Sequence, residues 1–235
     1  MIIYIYEKDT LQLIAQPMTA GIERFKENPS LFFPDWDYKT MAFATSYLVN
    51  PVIDTETGEL REMTKEELYA VGRYTLANNE IIENGKIKTV QLDTYEFIEN
   101  NEIKLNREKK IEALKKELSE LKAEYSESEF LFKGKYLQKN RERGDRDNLT
   151  GIVVLLMATG QTEYNGWKVT DKDTGEHIYL KLSLDELKIL ALHMQEQVTK
   201  AMKAESALIS KLSRLSDGEL KLFNAREEYE TLWNS

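Results

Sequence analysis

The chain of 235 residues carries 41 acidic and 32 basic side chains, which gives a formal net charge of −9 at pH 7 and a sequence pI of about 5.0. An acidic chain does not favour nucleic acid as a partner, because the phosphate backbone is itself anionic. Cysteine is absent, which excludes disulfides, thiolate zinc sites and cysteine nucleophiles.

No apolar run approaches the ~18–20 residues that a membrane-spanning helix needs. The apolar stretch at the start, Met1 to Tyr6, is short and has no basic segment before it. We therefore do not expect a secretory signal peptide there. The expectation is a protein made in the cytoplasm and not inserted in a membrane.

Residues 1–50 predict a small hairpin and helix module, with attachment as its expected role. Met1 to Tyr6 and Leu11 to Ala15 are the predicted strands, joined by a turn at Lys8 to Thr10. Thr19 is predicted to cap a short helix that runs to about Glu27.

An aromatic stretch follows in the same module, and it includes Phe33 and Trp36. Rings this close in sequence must mostly pack on something, so the favoured interpretation is the core of the module. The alternative is a ligand platform in which Phe33 and Trp36 contact the ligand.

Residues 51–105 predict a small β-meander module with one short helix. Thr64 and Glu67 have the spacing of a capping box, in which each side chain bonds the other residue's backbone N–H. Gly72 is expected to end this helix. Asn84-Gly85 predicts a type I′ hairpin turn, and a second hairpin is predicted around residues 99–101.

Residues 106–126 predict a helical stem. Ile111, Leu114, Leu118 and Leu121 are spaced 3, 4 and 3 residues apart, which is the heptad seam of a coiled coil. A helix of about two heptads is only marginally stable on its own in water, so it must pack on a neighbouring helix or domain. The sequence leaves two alternatives open, self-association through this seam or packing on the chain's own C-terminal domain.

Residues 127–235 predict a mainly helical C-terminal domain with two β-hairpins. The first hairpin turns at Lys133-Gly134, and the second contains Trp167. Between them, Ile152 to Met157 is predicted to be a helix buried on most sides and ended by Gly160, with Asn148 or Asp147 as N-cap. Trp167 is expected to cover the core, with sugar stacking as the alternative.

The longest helix is predicted to open at a capping box formed by Ser183 and Glu186. An apolar stripe from Leu187 to Leu215 makes it the main packing surface of the domain. Asp217-Gly218 is expected to break the helix, and a final amphipathic segment is expected to fold back. The fold class predicted for the whole chain is therefore α+β.

The order of these motifs resembles a C-terminal domain of unknown function that bacteriophage tail-fibre and tail-fibre-assembly proteins share. The resemblance rests on Phe130, Phe132, Gly134, Lys135, the Asp145-x-Asp-Asn-Leu-x-Gly151 segment, Trp167 and His193. The preceding stretch is similar to phage tail-region proteins of Gram-positive hosts, through Thr55 to Glu59, Thr64 to Leu68, Ile82 to Gly85 and Glu108 to Leu121. Together these motifs cover roughly residues 50–215.

The resemblance implies a non-enzymatic structural component of a phage tail, in the fibre or the baseplate, that supports tail architecture and host attachment. The implied location is the virion, and the implied partners are other tail or baseplate proteins and further copies of the chain. The family carries no known catalytic residues, so the resemblance implies no catalytic, cofactor-binding or metal-binding residue. Two alternatives stay open: an assembly chaperone absent from the mature virion, and a protein that binds host cell-wall glycan through Phe33, Trp36 or Trp167.

Overall fold

A computed structural model describes residues 1–235. The protein is α+β, with helices and small antiparallel sheets, and it divides into two compact units. The first unit comprises Met1–Asp93 and Phe97–Lys104, and the second comprises Thr94–Glu96 and Leu105–Ser235. The predicted stem thus belongs to the same unit as the predicted C-terminal domain. None of the helices combines the length and the apolar character that crossing a membrane requires.

The first unit begins with a three-stranded sheet in the order β2-β1-β3. Strands β1 (Tyr4–Glu7) and β2 (Leu13–Ala15) form the predicted hairpin. Strand β3 (Met41–Ala44) lies antiparallel on the other side of β1, a pairing that the sequence did not predict. This pairing packs residues that follow the aromatic stretch in sequence against the same small core.

Helix α1 spans Ile22–Glu27, and its predicted cap is wrong. The residue at the N-cap position is Gly21, without a capping side chain. Thr19 is instead buried beside the first residue, where its backbone N–H donates a 2.7 Å hydrogen bond to the carbonyl of Met1. The hydrogen bond to Met1 therefore holds Thr19 at the chain start, outside the helix.

The rest of the first unit is built from two-stranded sheets and one short helix, as predicted. The elements from residue 51 to residue 105 are β4 (Pro51–Ile53), β5 (Leu60–Glu62), α2 (Lys65–Ala70), β6 (Glu80–Glu83), β7 (Lys86–Thr89), β8 (Glu96–Glu99) and β9 (Glu102–Leu105). Asn84 and Gly85 both have positive φ, which confirms the type I′ turn between β6 and β7. Thr64 and Glu67 make both bonds of the predicted capping box.

The second unit joins the two predicted hairpins into one sheet. Its elements are α3 (Arg107–Ser126), β10 (Phe130–Phe132), β11 (Tyr136–Gln138), α4 (Asp147–Thr159), β12 (Glu163–Asp171), β13 (His177–Ser183), α5 (Leu184–Leu212), α6 (Asp217–Leu222) and α7 (Ala225–Asn234). Strand β11 pairs with β12 through Tyr136 opposite Asp171 and Leu137 opposite Thr170. The result is a four-stranded antiparallel sheet in the order β10-β11-β12-β13.

Two hydrophobic cores lie along α5. In the first, the N-terminal half of α5 packs with α4 and the inner face of the sheet, which includes Trp167. In the second, the C-terminal half of α5 packs with α3, α6 and α7. Because one helix of 29 residues contributes to both cores, it ties the sheet to the three-helix end of the unit.

Two predicted helix boundaries in this unit are wrong. Asp147 and Asn148 lie inside α4, and the residue before it, Arg146, makes no capping bond. The carboxylate of Asp145 instead accepts the backbone N–H and the guanidinium of Arg141 in the turn before the helix. Helix α5 ends at Leu212, and α6 begins at Asp217 behind a Ser216 capping box.

Candidate functional site

A cleft of about 680 Å³ in the first unit is lined by Trp36. Trp36 and Phe43 form one wall, with their ring centroids 6.1 Å apart. Trp36 also makes a T-shaped contact with the buried ring of Phe25, at a centroid distance of 5.3 Å. Trp36 is therefore both a part of the core and a partly exposed wall of the cleft.

Phe33 does not line this cleft. It is partly buried against the same core as Phe25, together with Ile3 and Ile5. Of the two aromatic residues in this module that the sequence proposed for ligand contact, only Trp36 therefore lines the cleft. Trp36 stays available to a ligand in the cleft, whereas Phe33 packs in the manner that the favoured interpretation expected.

The cationic group of Arg61 at this cleft is held by internal ion pairs. Its Nε lies 2.7 Å from Oδ2 of Asp54, and its two terminal nitrogens lie 2.7 and 2.8 Å from the carboxylate of Glu67. The Arg61 guanidinium and, next, the backbone N–H of Thr64 lower the pKa of Glu67 to about 2. Arg61 also holds the pKa of Asp54 well below its usual range. These groups fix the β4–β5 turn and the start of α2.

The polar groups that line the cleft include two uncharged hydroxyls and two exposed side chains of opposite charge. Thr45 and Ser46 supply the hydroxyls, and Lys26 and Glu59 supply the charges. Together with the ring of Trp36, they give the cleft a mixed polar and apolar lining, and small-molecule sites likewise combine aromatic surface with a few placed polar groups. Charged residues of both signs line the cleft, namely Lys8, Lys26 and Arg61 with Glu59 and Glu62, so it does not select an ion of one sign.

A second carboxylate cluster in the first unit is structural. Glu80 is only 5% exposed, and it accepts hydrogen bonds from the backbone N–H of Ala77, from Nζ of Lys65 and from the hydroxyl of Tyr74. These three donors, in that order of importance, lower the pKa of Glu80 to about 2. The cluster joins α2 to β6. No group of three or more His, Asp or Glu side chains is arranged to hold a metal ion.

Trp167, the third predicted ligand contact, is buried in the core of the second unit. Its side chain is 6% exposed, and its Nε1 donates a 2.8 Å hydrogen bond to Oε1 of Gln138. This is the position that the favoured interpretation gave it, covering the core. With the ring enclosed and its one polar group satisfied, little of Trp167 is left for a sugar to stack on.

The heptad seam of the predicted stem, on α3, is buried by other helices of the same chain. Leu114, Leu118 and Leu121 are buried, and Ile111 packs partly buried beside them. Their neighbours are Ala204, Leu208 and Leu212 of α5 with Leu220, Ala225 and Tyr229 of the last two helices. The sequence left two alternatives open for α3, self-association or packing on the chain's own C-terminal domain. In the structure, α3 packs on the C-terminal domain.

Helix α4 has an exposed apolar side, which contradicts the expectation that Ile152 to Met157 is buried on most sides. Val154, Leu155 and Met157 on α4, with Ile189 and Leu192 on α5, are each between 50% and 64% exposed. Val154 and Leu192 line a common groove of about 400 Å³ between the two helices. We call these five residues the apolar face.

The apolar face lies in a stretch of unusual composition for this chain. Charged residues make up 31% of the protein, yet the 15 residues from Asn148 to Thr162 contain none. The side of α4 that is turned to solvent also carries Thr150, Gly151 and Ala158. An exposed helix side normally carries charged or polar residues, so the composition of this surface is unusual for a solvent-exposed helix side.

Comparison of the chain with family models, with curated proteins and with solved structures finds no match.

Proposed function

We propose that the protein is a non-enzymatic structural component of a phage tail, in the fibre or the baseplate, and that it acts through protein contacts in the virion. The observation that carries the proposal is the apolar face on α4 and α5. The assignment to a phage tail is supported by the ordered motifs between residues 50 and 215, and the contact role is supported by the surface itself.

The size of the apolar face supports a docking role. Its five side chains, each half exposed or more, together present roughly 500 Å² of apolar surface, and Val154 and Leu192 among them line one groove between α4 and α5. Protein interfaces are depleted of charged residues at their centre and have polar rims. The exposed side of α4 is uncharged from Asn148 to Thr159 and is bordered by Asp147 and by charged residues of α5, which is this arrangement.

The environment of the perturbed carboxylates supports a non-enzymatic role. Strongly shifted pKa values mark either active sites or structural ion-pair networks. Asp54, Glu67 and Glu80 bond to side chains and backbone groups of their own unit. Their shifts therefore have a structural cause, and their oxygens serve turns and helix starts.

Mass spectrometry of purified phage particles tests the proposal. A structural component is expected in a fixed ratio to the other tail proteins. Presence in infected cells together with absence from the particles would contradict the proposal. That outcome would favour the alternative, a tail-fibre assembly chaperone that uses the same apolar face during assembly and then leaves.

A second candidate function is the binding of host cell-wall glycan, and the cleft beside Trp36 favours it. A glycan array with the purified full chain is the measurement, with Trp36→Ala as the test variant. Tyr69→Ala is the matched control, because Tyr69 is an exposed aromatic residue of the same unit outside the cleft. Binding that is lost in the first variant and kept in the second supports the site, and binding that survives Trp36→Ala contradicts it.

A further inference from the structure

We propose that the apolar face is the interface of a symmetric homodimer, in which α4 packs antiparallel against α4 of a second copy. The inference rests on the proposed function in one respect, since it names the partner of the docking surface on which that function depends. It assigns self-association to α4 and α5, a different surface from the stem seam that the sequence indicated.

The heptad seam of α3 is not accessible for self-association. Leu114, Leu118 and Leu121 are buried by residues of α5, α6 and α7. A second copy would have to displace this core to reach them. The apolar face, in contrast, is already exposed and needs no rearrangement to meet a partner.

The area of the face fits a twofold pairing. The five apolar side chains offer roughly 500 Å², and with the polar residues around them the surface approaches the ~800 Å² per partner of a standard interface. A twofold axis through α4 buries the same patch on both copies, so the exposed apolar residues of α4 in one copy face those of the other. A small heterologous ligand in the groove would leave most of Met157, Leu155 and Ile189 exposed.

The charges around the face are compatible with a copy of itself. The exposed side of α4 carries one charge, Asp147 in its first turn, and from Asn148 to Thr159 it has none to repel an identical helix. The adjoining strip of α5 carries both signs, namely Asp185, Lys188, Glu196, Lys200 and Lys203. A rim of one sign would select an oppositely charged partner, whereas a rim of both signs lets each copy offer acids and lysines to the other. Antiparallel α4 helices also place their opposite dipole ends together.

The exposed side of α4 permits close approach. Gly151 has nothing within 4 Å of the position where a Cβ would stand, and Ala158 lies two turns further along. Small residues at these two positions leave depressions beside Val154 and Leu155. The spacing of two packed helices depends on the side chains at their contact, so the larger residues of one copy can occupy these depressions in the other.

Light scattering of the purified full chain over a concentration series tests the proposal. The expected mass is twice the chain mass of 27.4 kDa. The Val154→Asp, Met157→Asp double variant is expected to weaken association about tenfold or more, because two carboxylates would enter an apolar contact. The matched control is Leu222→Asp, since Leu222 is 86% exposed on α6, outside the face, and it is expected to remain dimeric. A monomeric wild type, or equal loss of association in the control, overturns the proposal.

A second measurement does not depend on destabilising changes. The chain contains no cysteine, so single cysteines at Thr150, Val154 and Ala158 report contacts between copies by oxidation to a disulfide. Facing residues of a twofold pair must approach to a Cα separation below about 7 Å to be bridged. We expect at least one of the three to cross-link faster than Leu222→Cys. Cross-linking no faster than that control at all three positions overturns the antiparallel α4 pairing.

The composition of phage particles separates this inference from the proposed function. A dimer in solution that is absent from particles would contradict the tail role and leave the dimer standing. A monomer in solution that is present in particles would contradict the dimer and leave the tail role standing.

Discussion

The indole Nε1 of Trp167 donates a 2.8 Å hydrogen bond to Oε1 of Gln138, and both side chains are buried. The bond connects β12 to β11, the two strands that join the hairpins into one sheet. Trp167→Phe would leave the amide oxygen of Gln138 buried without its donor, which costs about 1–3 kcal/mol. Urea unfolding of the variant measures this loss.

The control for Trp167 is Tyr179→Phe on the neighbouring strand β13. Tyr179 is an exposed ring, so the loss of its hydroxyl should change the free energy of unfolding by only a few tenths of a kcal/mol, as for most surface changes. Equal stability of wild type and Trp167→Phe would contradict the structural role that we assign to this hydrogen bond.

The elements that the sequence predicted correctly depend on neighbouring residues. Asn84-Gly85 forms its turn because both residues tolerate positive φ. Thr64 and Glu67 bond each other's backbone across one helical turn. The pairing of Tyr136 with Asp171 joins strands that are far apart in the chain. No local pattern encodes this strand pairing. The sequence therefore predicted two separate hairpins, whereas in the structure they form one sheet.

The packing of α3 on α5 makes Leu118 a core residue within one chain. Leu118→Ala is expected to lower the free energy of unfolding by about 2–5 kcal/mol, the cost of a cavity in a packed core. Lys116→Ala, on the exposed side of the same helix, is the control and should change it little. The measurement is thermal or urea unfolding, with light scattering on the same samples.

Oligomeric mass discriminates between the two alternatives for the stem. If α3 packs only within the chain, folded Leu118→Ala has the same mass as the wild type. A change of mass in the folded variant, with little change in stability, would show that the seam joins copies instead.

The candidate surfaces were harder to predict than the folded elements. The run from Ile152 to Met157 is apolar on every side of the helix, so it has no stripe that indicates which side faces the core. Packing against α5 and the sheet selects the buried side, and Val154, Leu155 and Met157 remain exposed. The cleft has the same origin, since β3 pairs with β1 and thereby brings Phe43 beside Trp36.

The capping box at the start of α5 should contribute measurably to stability. The Ser183 hydroxyl accepts the backbone N–H of Glu186 at 3.2 Å, and the Glu186 carboxylate accepts the N–H of Ser183 at 2.8 Å. Ser183→Ala removes the first bond and is expected to cost about 1 kcal/mol. Ser206→Ala, at an exposed position inside the same helix, should be neutral or slightly stabilising, because Ala is the better helix former. Equal effects of the two substitutions in urea unfolding would argue against the cap.

The cluster around Glu80 should make the first unit sensitive to acid. The folded state lowers the pKa of Glu80 from 4.5 to about 2, first through the N–H of Ala77 and then through Lys65 and Tyr74. A carboxylate with a lowered pKa stabilises the fold above its unfolded-state pKa, and this contribution is lost as the pH falls toward the folded-state value. We therefore expect the stability of the first unit to decrease as the pH is lowered from 4.5 toward 2.

Glu80→Gln separates this carboxylate from the general effect of acid. The variant should already be less stable than wild type at pH 7, and its stability should fall less steeply in acid, because the group that titrates is gone. Urea unfolding at a series of pH values, followed by the NMR amide signals of α2 and β6, measures both quantities. Glu23→Gln, which changes an exposed carboxylate on α1, should match wild type at pH 7. An acid dependence of Glu80→Gln as steep as that of wild type would exclude Glu80 as its source.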